Sequence, residues 1–334
     1  MIFIDNEGNT NPHLNLALEE YIVRNFGSDN DYLLFYINEP SIIIGKNQIT
    51  VEEVNHEYIE NNAIHVVRRV SGGGAVYHDL GNLNFSFITN HDIKKLHNFK
   101  QFTEPVIQVL NDLGLAAELK GRNDIQIDEK KISGTAQFST GKRMISHGTL
   151  LLDANLEEVG KALHVKMNKI ESKGHKSVRS RVANINDFLA EPLTMDNFKS
   201  LLLNGLFDGN KNFQTYHLTP QEWTGVFKLK TEKYDSWEWN YGREPKYNIQ
   251  KTKRFDIGEL DARIYVEKGL IKNIQIYGDF FGKESVEQLN ELLNGIPYNN
   301  TAIKKTLENI DITHYFGALD KEDFIYFLYG GDED

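Results

Sequence analysis

Two groups of residues have types and spacing suited to chemistry. The first centres on Lys131 in the run KKISGTA, with Asn123 and Asp124 a few residues upstream. An amide and a carboxylate beside a lysine suit the binding of a nucleotide or a metal ion, with Asp124 the possible metal ligand. A lysine just after a turn is most often solvated. Here Ile125, Ile127, Ile132 and Ala136 imply a buried strand face, and the small residues of GTA leave room for a ligand. The second group is RRVSGGGAVYHD, residues 68–79, where Arg68 and Arg69 precede Gly72, Gly73 and Gly74, then Ala75, Val76, Tyr77, His78 and Asp79. A guanidinium beside exposed backbone N–H groups makes a phosphate cradle. A glycine-rich turn explains the same three glycines equally well. Alternation along the preceding strand sends one of the two arginines into the space that the loop encloses. His147, in SHGTLLL, reads as a structural strand histidine.

Other chemistries are excluded or disfavoured. The glycine run is no Walker A loop, because the lysine and hydroxyl that should follow are missing. It is no dinucleotide fingerprint, because no helix opens after it. The chain holds no cysteine, so disulfides, thiolate metal sites and thioester intermediates are unavailable. A formal net charge of −11 argues against nucleic acid as a partner. No run is long enough to span a membrane and no signal peptide opens the chain, so a cytoplasmic address is expected. Charge is uneven: residues 251–334 carry ten basic against sixteen acidic side chains, whereas residues 166–181 (KMNKIESKGHKSVRSR) carry six basic and one acidic. This basic run reads as an exposed loop.

The elements that must position these residues are strand-rich. YLLFYI (32–37) and SIIIG (41–45), separated by Asn38-Glu39-Pro40, look like a hairpin. Strands are expected at 64–70 and 83–89, and a helix at 101–113 with Pro105 in its first turn. Strands joined by tight turns at Glu129-Lys130 and Gly141-Lys142 follow. Asn155 with Glu158 resembles a capping box, and Thr219-Pro220-Gln221-Glu222 is a stronger helix start. Residues 247–278 suggest a three-stranded meander with turns at Gly258 and Gly269, followed by helices at 284–294, 299–309 and 320–329. The expected fold is α+β, a mixed sheet flanked by helices, with a small C-terminal α/β domain. The boundary is expected near Pro245, giving domains 1–245 (core about 28–215) and 246–334.

The blocks RRVSGGGAVYHDLGNLNFSF, GRNDIQID, KKISGTAQ, SHGTLLLDANL and ESKGHKSVRSRVANI, in this order and spacing, resemble the bacterial two-domain lipoate–protein ligases of the biotin/lipoate ligase superfamily. The similarity covers most of residues 1–250. It implies a two-step reaction: (R)-lipoate and MgATP give lipoyl-adenylate and pyrophosphate, and the adenylate then acylates a specific lysine of an apo lipoyl domain. Acceptors would be the acyltransferase subunits of 2-oxo acid dehydrogenases or the glycine cleavage carrier protein. By the resemblance, Arg69, Gly74, Ala75, Val76 and Tyr77 bind the nucleotide, and Lys131 touches both lipoate and the adenylate phosphate as the catalytic residue. Gly73, His78, Asn123 and Asp124 are further candidates. The enzyme is expected to act as a monomer, with the 166–181 run as a salt-sensitive dock for acidic acceptors. The alternatives are a lipoyl-adenylate transferase with weak activation activity and a non-catalytic lipoate-binding protein. The related octanoyl transferases need the cysteine that is missing here.

Overall fold

Period-two alternation builds the main sheet of this protein, a computed structural model of which describes residues 1–96, 98–163, 181–242 and 247–329. Its strands are β1 (Ile2–Ile4), β2 (Tyr32–Ile37), β6 (Asn82–Asn90), β7 (Glu118–Lys120), β8 (Asp124–Ile127), β9 (Lys130–Ser139), β10 (Arg143–Leu151) and β11 (Thr215–Tyr216). They lie in the order β11-β1-β2-β6-β10-β9-β8-β7. The sheet is mixed: β1 pairs in parallel with β11 and β2, whereas β6, β10, β9 and β8 pair antiparallel. A second sheet holds β3 (Ser41–Ile44) between β4 (His65–Arg68) and β5 (Val76–His78). The hairpin expected over 32–45 therefore does not form. Residues 38–40 carry the chain from one sheet to the other, and buried Asn38 occupies the crossing.

Helix α1 (Pro12–Asn25) packs on one face of the main sheet and the helix Phe99–Asp112 belongs to the core on the other. Sequence patterning missed α1, because its buried positions include Asn15, Glu19 and Glu20 beside Leu14, Leu18 and Ile22. An apolar stripe with polar residues set into it has no clean period. Pro105 stands inside the Phe99–Asp112 helix rather than in its first turn. Both Pro105 and Gln101, whose carbonyl loses a donor, are exposed, so water can satisfy the break. Asn155 does cap the helix Leu156–Ala162, but no reciprocal box forms. Its own N–H donates to Asp79, and Glu158 accepts instead from Tyr58 and Lys161. The box at Thr219 and Glu222 is complete and opens the helix Pro220–Leu229.

The chain divides into two compact units: Met1–Ile44, Thr50–Val70 and Ala75–Asn240 form one, and Gly45–Ile49, Ser71–Gly74 and Tyr241–Asp334 the other. The second unit contains an antiparallel meander of β12 (Ile249–Phe255), β13 (Gly258–Glu267) and β14 (Leu270–Gly278). Gly258 and Gly269 adopt the positive φ that its two turns require. Leu260, Ala262, Ile264, Ile274 and Ile276 share one core with Leu289, Leu293, Ile303, Phe324 and Leu328 of the helices that follow. Pro245 and the basic run 166–180 lie outside the described residues.

Candidate active site

Lys131 owes its direction to a defect in strand pairing. Asp128 and Glu129, both at positive φ, close the β8–β9 hairpin one residue earlier than expected. Ile125 then pairs with Ser133 and its neighbour Gln126 with Lys131, leaving Ile132 as an extra residue. Such a bulge shifts the parity of the strand. Lys131 consequently shares a face with Gly134, whereas Ile132 drops into the hydrophobic core on the opposite side. Its ammonium lies 2.8 Å from Asp124 Oδ1. A Cβ at Gly134 would meet Lys131 Nζ at 2.9 Å, so the missing side chain is what lets the ammonium lie across the strand. The Lys131 side chain remains 35% exposed and the Asp124 side chain 30% exposed. The hairpin is held from both sides: Asn123 Nδ2 donates to the Thr135 carbonyl at 2.6 Å, and Ala183 N–H donates to the Lys131 carbonyl at 3.0 Å.

The face that carries Lys131 continues inward as a polar band. Paired residues of adjacent strands share a face, and the register aligns Asp124 with Gly134 and Ala136 with His147. It further aligns His147 with Ser86, and Thr149 with Asn84 and then Tyr36. Ser86, Asn84, Tyr36 and His147 are buried. Two rows away the same face turns apolar, with Ile88 and Ile145 packed under α1. Glu19 of α1, 1% exposed, points at the band and accepts from His147 Nδ1 with both oxygens at 2.9 Å. The Tyr36 hydroxyl also bonds Glu19, and burial followed by that carboxylate raises the phenol well above its ordinary range.

Arg69 and His78 join the same cluster. The Arg69 guanidinium donates to the Ile43 carbonyl at 3.0 Å. Burial pulls it down to about 10, against the opposing charges of Tyr36 and Glu19. It thus remains a cation at neutral pH. His78 is pushed down to about 3, first by burial and then by Arg69 and His147, so its ring is neutral. Arg68 has a different task. Its guanidinium donates to Trp239 O, Thr50 Oγ1 and Asn240 O, tying β4 to the turn Trp237–Asn240.

Other predicted residues fall less simply. Gly73 and Gly74 belong to the second unit. There Gly72 leaves space for the Phe280 carbonyl, 2.5 Å from where a Cβ would stand, and Gly73 has φ +92°. Local packing accounts for these two glycines, whereas a Cβ on Gly74 would meet nothing within 4 Å. Ala75 precedes β5, and Val76 packs against the core under α1. Burial, then Asp79, Glu158 and Tyr58, raises the Tyr77 hydroxyl, surroundings that repel a phosphate. Only its main chain suits a nucleotide. Glu19, Tyr36 and Ser86 were not singled out from sequence. The one available signal was Asn84 and Ser86 in the otherwise apolar alternation LNFSFIT.

Among the described residues no three His, Asp or Glu side chains group to hold a metal ion. Asp124 is the carboxylate at Lys131, and one carboxylate fits a magnesium ion that arrives on a triphosphate. No helix among the described residues is long and apolar enough to cross a membrane.

Comparison with known proteins identifies the family of both parts of the chain. The model of the lipoyl protein ligase A/B catalytic domain matches residues 11–207, and that of the bacterial lipoate protein ligase C-terminus matches residues 244–328. A lipoate–protein ligase of Bacillus subtilis (strain 168) is 53% identical over 331 residues, spanning 98% of this chain and 100% of its own. The crystal structure of P. falciparum LipL1 in complex with lipoate superposes with TM-score 0.80 at 26% identity, covering 97% of this chain and 96% of that one. The bi-partite lipoate protein ligase of Thermoplasma acidophilum, described with its E2 lipoyl domain, gives TM-score 0.65 at 34% identity, covering 74% and 98%.

Proposed function

The chain belongs to the lipoate–protein ligase family, and on that premise we propose that Lys131 and the buried band beside it activate lipoate and hold its acyl chain. The enzyme is an ATP-dependent ligase. Lipoate's carboxylate attacks the α-phosphorus of MgATP and pyrophosphate leaves. A lysine amine of a lipoyl domain then attacks the acyl carbon of lipoyl-adenylate, and AMP leaves.

The observation that carries the residue assignment is the Lys131 ammonium, laid over Gly134 by the Ile132 bulge and facing the Asp124 carboxylate. Two anions must meet for the first step. A cation half in solvent and half over the band can approach the carboxyl and α-phosphate oxygens together and stabilise the charge that develops. Arg69, Gly73, Gly74, Ala75, Val76 and Tyr77 are proposed to hold the nucleotide, the last two through their main chain, with Asn123 and Asp124 setting the Lys131 hairpin. Asp124 is the carboxylate that would hold a magnesium ion carried in on the triphosphate, and the ion would neutralise part of the phosphate charge. Burial of the acyl chain excludes water from the mixed anhydride until the acceptor amine arrives.

Residues 1–245 are proposed as the catalytic domain and 246–334 as the accessory domain of a cytoplasmic monomer. The acceptors would be lipoyl domains of 2-oxo acid dehydrogenase acyltransferases or of the glycine cleavage carrier protein. Lipoate-dependent exchange of labelled pyrophosphate into ATP tests the reading. Absence of exchange in the wild type would refute ligase activity, and normal exchange in Lys131→Ala would refute only the role given to that lysine.

A further inference from the structure

Beside the polar band lies a hydrogen-bond donor whose direction is dictated by side chains of α1 and of the crossing between the two sheets. Asn15 Nδ2 donates to two backbone carbonyls, those of Asn9 at 3.0 Å and Ile37 at 3.1 Å. Carbonyls only accept, so the orientation of this amide is fixed. The two hydrogens of the same Nδ2 are shared with a third acceptor, Asn38 Oδ1 at 2.9 Å, and Asn15 Oδ1 accepts from Asn6 Nδ2 at 3.1 Å. Asn38 Oδ1 being an acceptor, its Nδ2 must be the donor across the 3.1 Å contact to His78 Nδ1. His78 Nδ1 therefore accepts, and the proton of the neutral ring sits on Nε2. That Nε2 is buried and has no hydrogen-bond partner among the described residues, as is true of Ser86 Oγ opposite His147. A buried donor left in this state is costly unless a ligand completes it.

We infer that Asn15 and Asn38 are positioning residues that lock His78 as the Nε2–H tautomer, and that this single neutral donor lets the site favour a lipoyl ring over a plain alkyl chain. The inference rests on the reading that lipoate lies along the band. Its carboxyl end is held at Lys131 over Gly134, and Ala136, facing His147, stands two residues further on, about 7 Å along the strand. His78 is held by Asn38, which stands two residues beyond Tyr36 of the band. The far end of a lipoyl chain thus falls among these histidines. Away from the carboxyl group, the disulfide sulfurs are lipoate's only acceptors, and octanoate has none there.

Full-length protein labelled with ¹⁵N-histidine tests this by long-range ¹H–¹⁵N correlation, with His78 assigned by its loss in His78→Gln. The wild type is expected to show a protonated Nε2 and a bare Nδ1. Asn38→Asp keeps an acceptor for Asn15 but presents an acceptor to His78 as well, and should flip the ring to Nδ1–H. With the flip, the ratio of kcat/KM for lipoate over octanoate should fall roughly fivefold to tenfold, the worth of one hydrogen bond. KM for ATP should stay within about twofold. His78→Gln, which keeps an N–H near the Nε2 position, should recover more of the ratio than His78→Asn, and this pair decides the matter if Asn38→Asp does not fold. A wild-type Nδ1–H tautomer, a flipped tautomer with an unchanged ratio, or equal ratios for His78→Gln and His78→Asn would each overturn the inference. Loss of exchange with both acids in the wild type would instead overturn the proposed function, while the tautomer is still judged by its spectrum.

Discussion

The two faces of the main sheet are both buried, yet one is mostly hydrophobic, with Ser146 and Gln137 bonded to each other within it, whereas the other carries a continuous polar band. On one, Leu33, Phe35, Leu83, Phe85, Phe87, Met144 and Leu150 meet Phe102, Val106 and Leu110 of the helix Phe99–Asp112. On the other, the residues alternating with these are Tyr36, Asn84, Ser86, His147 and Thr149, roofed in part by Glu19 and Arg69. Each apolar side chain on the first face contributes about 1.5–3 kcal/mol by leaving water. The polar groups opposite contribute little net stability and are expensive wherever a partner is missing. A protein keeps such a band only if something other than stability requires it. The first face holds the fold and the second holds the chemistry.

Substitutions on each face should separate these roles. Phe85→Ala empties a fully packed position and should lower stability by about 3–5 kcal/mol, read from the urea midpoint. Wherever that variant remains folded, lipoate should bind it nearly as it binds the wild type. Lys131→Ala should do the reverse. Exchange should fall about 10²–10³-fold, as when one preorganised charge-stabilising donor is lost. Its melting temperature should barely move, because the Lys131–Asp124 pair is partly exposed and such pairs are worth under about 1 kcal/mol. Equal damage to stability from both changes would break the comparison.

Acid should strain the polar face selectively. His78 has a folded pKa of about 3 against about 6.5 unfolded, so below 6.5 the unfolded chain binds the extra proton. Stability conferred by the neutral ring is complete above pH 6.5 and is lost as pH falls from there toward 3. At pH 4.5 the deficit should reach about 2–3 kcal/mol relative to neutrality. Chemical denaturation of the wild type and His78→Gln at both pH values measures it, and a parallel loss in the two proteins would deny His78 that share. The smallest effect is expected at Ser86→Ala. The removed hydroxyl has no partner among the described residues, so stability should change by less than about 0.5 kcal/mol or rise slightly. A clear loss of stability there would show that the band is structural after all.

Much of the scaffold was legible from sequence because local rules decide it. The Thr219 box, the meander around Gly258 and Gly269, and the strands at 64–70 and 83–89 follow from capping geometry, positive φ and alternation. Legibility failed where tertiary contacts override local pattern. α1 hid because Asn15 and Glu19 interrupt its apolar stripe, Asn15 to bond Asn38 and Glu19 to face the band. Residues 32–45 mimicked a hairpin because two buried strands look alike whether they pair with each other or with distant partners. The glycine run suggested one purpose for three residues. Gly72 and Gly73 answer to local packing and conformation, whereas a Cβ at Gly74 would meet no described atom within 4 Å.

Residue identities alone determined the chemistry available to this protein: a lysine with an upstream carboxylate, two arginines, and no thiol. They also determined the family, since spaced blocks of side chains are carried in the order of the chain. Which arginine serves the site was settled only in three dimensions, where the main-chain carbonyls of residues 239 and 240 take Arg68 and Arg69 remains beside Glu19. The direction of Lys131 depended on a register shift between strands, which no local pattern encodes. The tautomer of His78 depends on Asn15 and Asn38, brought to it by the packing of α1 and the crossing between two sheets. Residue type decides which hydrogen bonds a site can make; long-range packing decides which of them are left for the substrate.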